Sequence, residues 1–172
     1  EVTEDFDRFE FFKYYQLLQN FCVVDLSSFY FDIAKDRLYT EGKNSESRRA
    51  VQTVLEEVLM TLVRIIAPVA PHLADDIWQH LPEALRKFEA TEPSVLLTDF
   101  PVAQARFVDE NLSQLFESLI AVRETVNKAL EQARADKKIG KSTEAQVLIA
   151  IENAELRKKV ESLGADLPGF FI

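Results

Sequence analysis

Glycine is scarce in this sequence: Gly42, Gly140, Gly164 and Gly169 are the only four in 172 residues. Chains so poor in glycine seldom build phosphate-cradling loops or many-turned sheets, whereas helical bundles manage well without it. Cysteine is scarcer still. Cys22 alone cannot close an internal disulfide, which fits a reducing compartment such as the cytoplasm and excludes a zinc ribbon. No apolar run approaches the roughly 18 residues that span a bilayer. The acidic opening Glu1-Val2-Thr3-Glu4-Asp5 is no signal peptide, so no membrane role is expected. The only methionine is Met60, so residue 1 is not a translation start and a piece of a longer polypeptide is expected. Positive charge is the minority sign, 20 Lys and Arg against 29 Asp and Glu, for a formal net charge of −9. That balance excludes non-specific nucleic-acid binding over the whole surface but leaves room for a local basic patch.

What is present is enough apolar material for a core, 47% of the residues, patterned for helices. Residues 6–24 place Phe6, Phe9, Phe11, Phe12, Tyr14, Tyr15, Leu17, Leu18 and Phe21 at recurring spacings of three and four. They predict a helix buried on more than one side, with Cys22 as a small buried hydrophobe. Asp25-Leu26-Ser27-Ser28 offers capping oxygens for a second helix over about 26–39. Ser45 or Ser47 can cap a third, striped by Val51, Val54, Val58, Leu62 and Ile65 and stopped by Pro68. Pro71 suits the first turn of a fourth, which ends near Pro82. Residues 83–106 lose periodicity, with Ser94–Leu97 as a short extended piece, before a long helix from Phe107 to about Lys138 that Gly140 ends. The β-branched run 145–151 reads as a strand, a short helix follows at 154–163, and 169–172 reads as a second strand. The fold class expected is mainly α: a helical bundle over 1–92, then a long helix and a small α+β segment over 93–172.

Chemistry is harder to find. Gly140-Lys141-Ser142 suggests a phosphate loop, but that loop needs a glycine five residues earlier and the position holds Ala135. His72, Asp75, Asp76 and His80 share a short helix. The zinc-protease pattern of two histidines one turn apart, with a glutamate base between them, is not there, which favours a structural or surface role. No serine or cysteine has a histidine partner nearby, and no catalytic residue or metal ligand is assigned. The better constellation is basic. Lys35, Arg37 and Tyr39 close one helix, and Arg48, Arg49 and Gln52 open the next. Guanidinium forks match phosphate geometry and a tyrosine ring can stack an unpaired base. The competing account is a solvated face in which Lys and Arg complement a helix dipole and pair with Asp36, Glu41 and Glu46. Arg134, Lys137, Lys138 and Lys141 form a second local concentration of positive charge.

The segment Asp25-Leu26-Ser27-Ser28-Phe29-Tyr30-Phe31-Asp32-Ile33-Ala34-Lys35-Asp36-Arg37-Leu38-Tyr39 closely resembles isoleucyl-tRNA synthetase. The likeness continues through Arg48–Leu55, Ala67-Pro68-Val69-Ala70-Pro71-His72 and its sequel to Trp78, Arg123–Glu131, and Lys138-Ile139-Gly140-Lys141-Ser142. The Ala-Pro-x-x-Pro-His signature is shared with valyl and leucyl relatives, whereas the Asp-Leu-Ser to Leu-Tyr segment favours the isoleucyl enzyme. The resemblance implies a class I synthetase's anticodon-binding bundle, followed by a small α+β junction segment. The parent it implies is an ATP-dependent, cytoplasmic isoleucine–tRNA ligase, with tRNA(Ile) and the catalytic and editing domains of the same polypeptide as partners. ATP with magnesium and a C-terminal zinc belong to that parent, and no cofactor is expected in this chain. Both catalytic signatures, His-Ile-Gly-His and Lys-Met-Ser-Lys-Ser, are absent, and Lys138-Ile139-Gly140-Lys141 lacks the histidines of the first. Lys35, Arg37, Tyr39, Arg48, Arg49 and Gln52 are therefore the tRNA-binding candidates. A purely structural docking module would instead pair its cations internally and expose an apolar face.

Overall fold

A computed structural model describes residues 1–88 and 92–171. Residues 89–91 of the expected aperiodic stretch, and Ile172 of the expected second strand, lie outside the described residues. Helices dominate, and no strand occurs among the described residues. The chain forms two compact units, Glu1–Gln104 and Ala105–Ile172.

In the first unit, α1 (Val2–Asp7) leads through Phe9, at φ 58°, into α2 (Phe11–Asn20). From there the chain stays helical through a π-helical segment, Phe21–Tyr30, into α3 (Phe31–Tyr39). Asp25, Ser27 and Ser28 therefore do not cap a new helix. With helical dihedrals at Asn20 and Phe31 and no proline or glycine between them, no helix end exists there to cap. The Ser28 hydroxyl instead donates to the Val23 carbonyl, five residues back, at 2.7 Å. Burial of the 6–24 stretch on more than one side is also not found: Tyr14 is the one buried residue of α2, Phe9 is 78% exposed, and Cys22 is exposed. Periodicity reports which residues are apolar, not whether a neighbouring surface covers them. Phe6 gathers Phe11, Tyr14 and Phe100, with ring centroids 5.6, 5.6 and 6.0 Å away.

The core of this unit lies where α4 (Glu46–Ile66) meets α5 (Pro71–Gln79). Met60, Val63, Ala67, Ala74, Trp78, Leu81 and Val95 are its buried residues. The buried face of α4 is thus rotated from the expected stripe: Val54 is exposed and Leu62 only half-buried. Pro71 starts α5 as expected. A further short helix, α6 (Glu83–Phe88), follows Pro82, where an aperiodic stretch was expected. Ser94 starts a tight turn over Val95–Leu97 rather than an extended piece, because its hydroxyl accepts from Leu96 N–H and donates to Asp75 at 2.5 Å. The Trp78 indole N–H donates to the Glu92 carbonyl at 2.9 Å, so the buried ring has its partner.

The second unit is organised by α7 (Glu110–Ala135), capped by the Asp109 carboxylate on Leu112 N–H at 2.9 Å. Leu119, Val126 and Leu130 face α8 (Ala154–Glu161) and α9 (Leu167–Phe171), which supply Val160, Phe170 and Phe171 to the core. The two expected strands are not formed. Residues 145–151 have no regular secondary structure, with alternate side chains half-buried, and no ladder partner is found among the described residues. Leu167–Phe171, where the second strand was expected, is helical, with Pro168 in its first turn. A strand needs a neighbour for its N–H and C=O groups, and a β-branched run alone does not provide one. The junction segment is therefore α with an irregular stretch, not α+β, among the described residues.

Candidate nucleic-acid interface

The loop between α3 and α4 is built around one carboxylate. Both the Ser45 and Ser47 hydroxyls donate to the Glu41 side chain, and Arg48 Nη1 donates to the Glu41 carbonyl at 3.0 Å. Those two hydroxyls, and secondarily the Arg37 charge, hold the Glu41 carboxyl below its ordinary value. Ser45 occupies the N-cap position of α4, but its hydroxyl serves the loop rather than the helix N–H groups. Thr40 closes the preceding helix by donating to the Asp36 carbonyl at 2.6 Å. The loop is thus fixed at both ends by short-range hydrogen bonds, which places α3's last turn beside α4's first.

On that frame the six sequence-predicted residues divide. Lys35 is engaged by Asp32, Nζ to Oδ1 at 2.8 Å. Arg37 is half-buried, and its charge acts on Tyr30 and Glu41. Arg48 is half-buried and committed in part to the Glu41 carbonyl. Tyr39, 84% exposed, together with Arg49 and Gln52, projects into solvent, and no side-chain hydrogen bond or ion pair holds these three among the described residues. Sequence reasoning took Glu41 only as a neutralising acid and Ser45 as a cap. Their positioning role was signalled by two serines spaced to reach one acid across a glycine-containing turn.

The histidine helix has a different task. The Asp75 carboxylate accepts from Ser94 Oγ and from Val95 N–H at 3.3 Å, and His80 Nδ1 lies 2.8 Å from the Asp76 carbonyl. Among the described residues, no group of three or more His, Cys, Asp or Glu is placed to hold a metal ion. With a single cysteine, the chain supplies no donor set for the zinc that the resemblance assigns to the parent's tail. No described helix is long and apolar enough to cross a membrane.

A helix pair joined by an ordered basic turn, with an aromatic ring and an arginine left open, is a surface suited to RNA backbone and loop bases. The family described as the anticodon-binding domain of tRNA ligase matches residues 1–149, and the chain belongs to that family. Within it, the similarity runs to isoleucine–tRNA ligases. The chain is 46% identical over 163 residues to that of Thermosynechococcus vestitus, which is 95% of this chain and 17% of the relative. It is 43% identical to that of Gloeobacter violaceus and 42% identical to that of Bacillus cereus strain G9842, each over its full 172 residues. In every case it spans only 17–18% of the relative's length.

Proposed function

We propose that this chain binds the anticodon stem-loop of tRNA(Ile) and positions it for ATP-dependent aminoacylation by a catalytic domain elsewhere in an isoleucine–tRNA ligase. The observation that carries this reading is the division at the α3–α4 turn. Glu41, Ser45 and Ser47 fix the backbone, while Tyr39, Arg49 and Gln52 remain open on it. Arg49 supplies a fork for a phosphate, Tyr39 a ring for an unpaired base and Gln52 a donor and acceptor for a base edge. The chain's part in the reaction is binding and orientation. ATP, magnesium and the cytoplasmic setting belong to the parent enzyme in this reading.

The experiment is a binding titration of the 172-residue chain with an unmodified tRNA(Ile) transcript. Tyr39→Ala is expected to weaken binding about tenfold, in line with base–aromatic stacking. A chain that does not bind the transcript at low salt, or a Tyr39→Ala variant that binds unchanged, overturns the reading. A second reading rests on the exposed face of Phe9, Phe12, Tyr15, Val23 and Val24, which suits docking against another domain of the same polypeptide.

A further inference from the structure

A second group of exposed cations lies where α7 ends. Over 132–144 the chain carries Arg134, Lys137, Lys138 and Lys141 against Asp136 and Glu144. Both carboxylates are already engaged. Asp136 accepts from Gln132 at 2.8 Å and from Lys138 at 3.0 Å. Glu144 accepts from the backbone N–H groups of Gly140 at 2.9 Å and Lys141 at 3.2 Å, which holds its carboxyl below the ordinary value. A Cβ at Gly140 would sit 3.3 Å from that carboxylate, so glycine permits the close approach. Arg134, Lys137 and Lys141 are left exposed, with no ion-pair partner among the described residues.

The way the helix stops points in the same direction. Gly140 was expected to end it, yet α7 ends earlier, with Lys137 at φ 57°. Lys137 N–H bonds the Arg134 carbonyl and Lys138 N–H bonds the Ala133 carbonyl, both at 2.9 Å, the pattern in which the left-handed residue is usually glycine. A lysine there carries a steric penalty that glycine avoids, and its exposed side chain gains no packing in return. A helix C-terminus welcomes positive charge in its last turn. That accounts for Arg134, but not for a lysine at the left-handed position or for Lys141 beyond it.

We propose that the turn 134–141 is a second RNA-backbone contact, in which Arg134, Lys137 and Lys141 neutralise phosphates without reading sequence. This rests on the RNA-binding reading above and adds a site to it. Contacts of this kind fix register and orientation, and they register as salt dependence.

The test is titration of the 172-residue chain with the unmodified tRNA(Ile) transcript across a salt series, for wild type, Lys137→Gln/Lys141→Gln and a control, Arg8→Gln/Lys158→Gln. Both variants remove two positive charges, so a difference between them reports position. The first is expected to lower the slope of log affinity against log salt by up to about 2 and to weaken binding, the control less. Lys137→Gly supplies an independent readout: a raised unfolding midpoint together with weaker RNA binding. If wild type binds and Arg49→Ala weakens it, while Lys137→Gln/Lys141→Gln matches the control, the proposal is wrong and the RNA-binding reading stands. If Lys137→Gly gains stability without losing affinity, Lys137 has no part in RNA binding and the proposal fails at its centre. If wild type does not bind, both fall.

Discussion

The phenol of Tyr14 donates to the backbone carbonyl of Ile65 and so closes the C-terminal end of α4. That end is short of donors for a reason written in the chain. Pro68 has no N–H, and the N–H groups of Val69 and Ala70 both go to Ile66, at 3.1 and 2.8 Å. Tyr14 is the one residue of α2 that is fully buried, and this bond lets its polar tip be buried with its ring. The tyrosine thereby ties α2 to the core helix of its unit.

Tyr14→Phe keeps the ring and removes the donor to a part-buried carbonyl, so a loss of about 0.5–1.5 kcal/mol is expected in denaturant unfolding at neutral pH. The same residue sets an alkaline limit. Burial pushes its phenol up to about 12. The folded state therefore holds a proton that the unfolded state releases from pH 10.0, and stability falls between these values as pH rises. Tyr14→Phe is expected to flatten that part of the profile. An unchanged alkaline slope would show that Tyr14 is not the group responsible.

The bounds of α4 and α5 were legible in the sequence; the face each helix buries was less so. Pro68 and Pro71 mark the end of α4 and the start of α5, because proline's missing N–H acts locally. Which residues of α4 are buried depends instead on where α5 and the Val95 turn lie against it, and that is tertiary information. Met60 rather than Leu62 takes the core position. Met60→Ala is expected to cost roughly 2–5 kcal/mol and Leu62→Ala clearly less, although both remove side chains of similar size. Equal losses in thermal unfolding would put the α4–α5 interface in the wrong place. At the candidate site the basic residue types were legible, but the bonds that engage three of the six were not. The Arg48 bond depends on the backbone path through Glu41, and the Lys35 pair on which acid within reach, Asp32 rather than Asp36, its side chain meets.

Arg123 is the one buried charged residue among those described, and its Nε donates to the Phe170 carbonyl at 2.7 Å. It falls between Leu119, Val126 and Leu130 on the apolar stripe of α7, so its sequence position signals a structural rather than an RNA-binding arginine. Arg123→Met retains the stem and removes the guanidinium. A loss of about 1.5–3 kcal/mol is expected, with faster amide exchange in α9 than in α8. Even acceleration across both helices would mean that Arg123 does not specifically secure α9.

Lys35 and Arg49, on either side of the α3–α4 turn, should not contribute alike. Lys35 is held by Asp32 one turn earlier on the same helix, and an RNA phosphate must compete with that carboxylate to recruit it. Exposed pairs of this kind are weak, about 0–1 kcal/mol, so competition is feasible but not free of loss. Arg49 has no such competitor among the described residues, and its backbone is set by α4's first turn, where its N–H bonds the Ser45 carbonyl at 3.1 Å. A guanidinium is also the better match to a phosphate, because it can donate two parallel bonds where an ammonium acts as a point charge. Arg49→Ala is therefore expected to weaken binding of the tRNA(Ile) transcript several-fold and to lower the salt slope by about 0.7–0.9, the value of one phosphate contact. Lys35→Ala removes the same formal charge and also frees Asp32, so its effect on long-range attraction is at least as unfavourable. If the two variants were to shift affinity and slope equally, the RNA would be responding to net charge alone, and the distinction between engaged and open cations at this turn would have no functional weight.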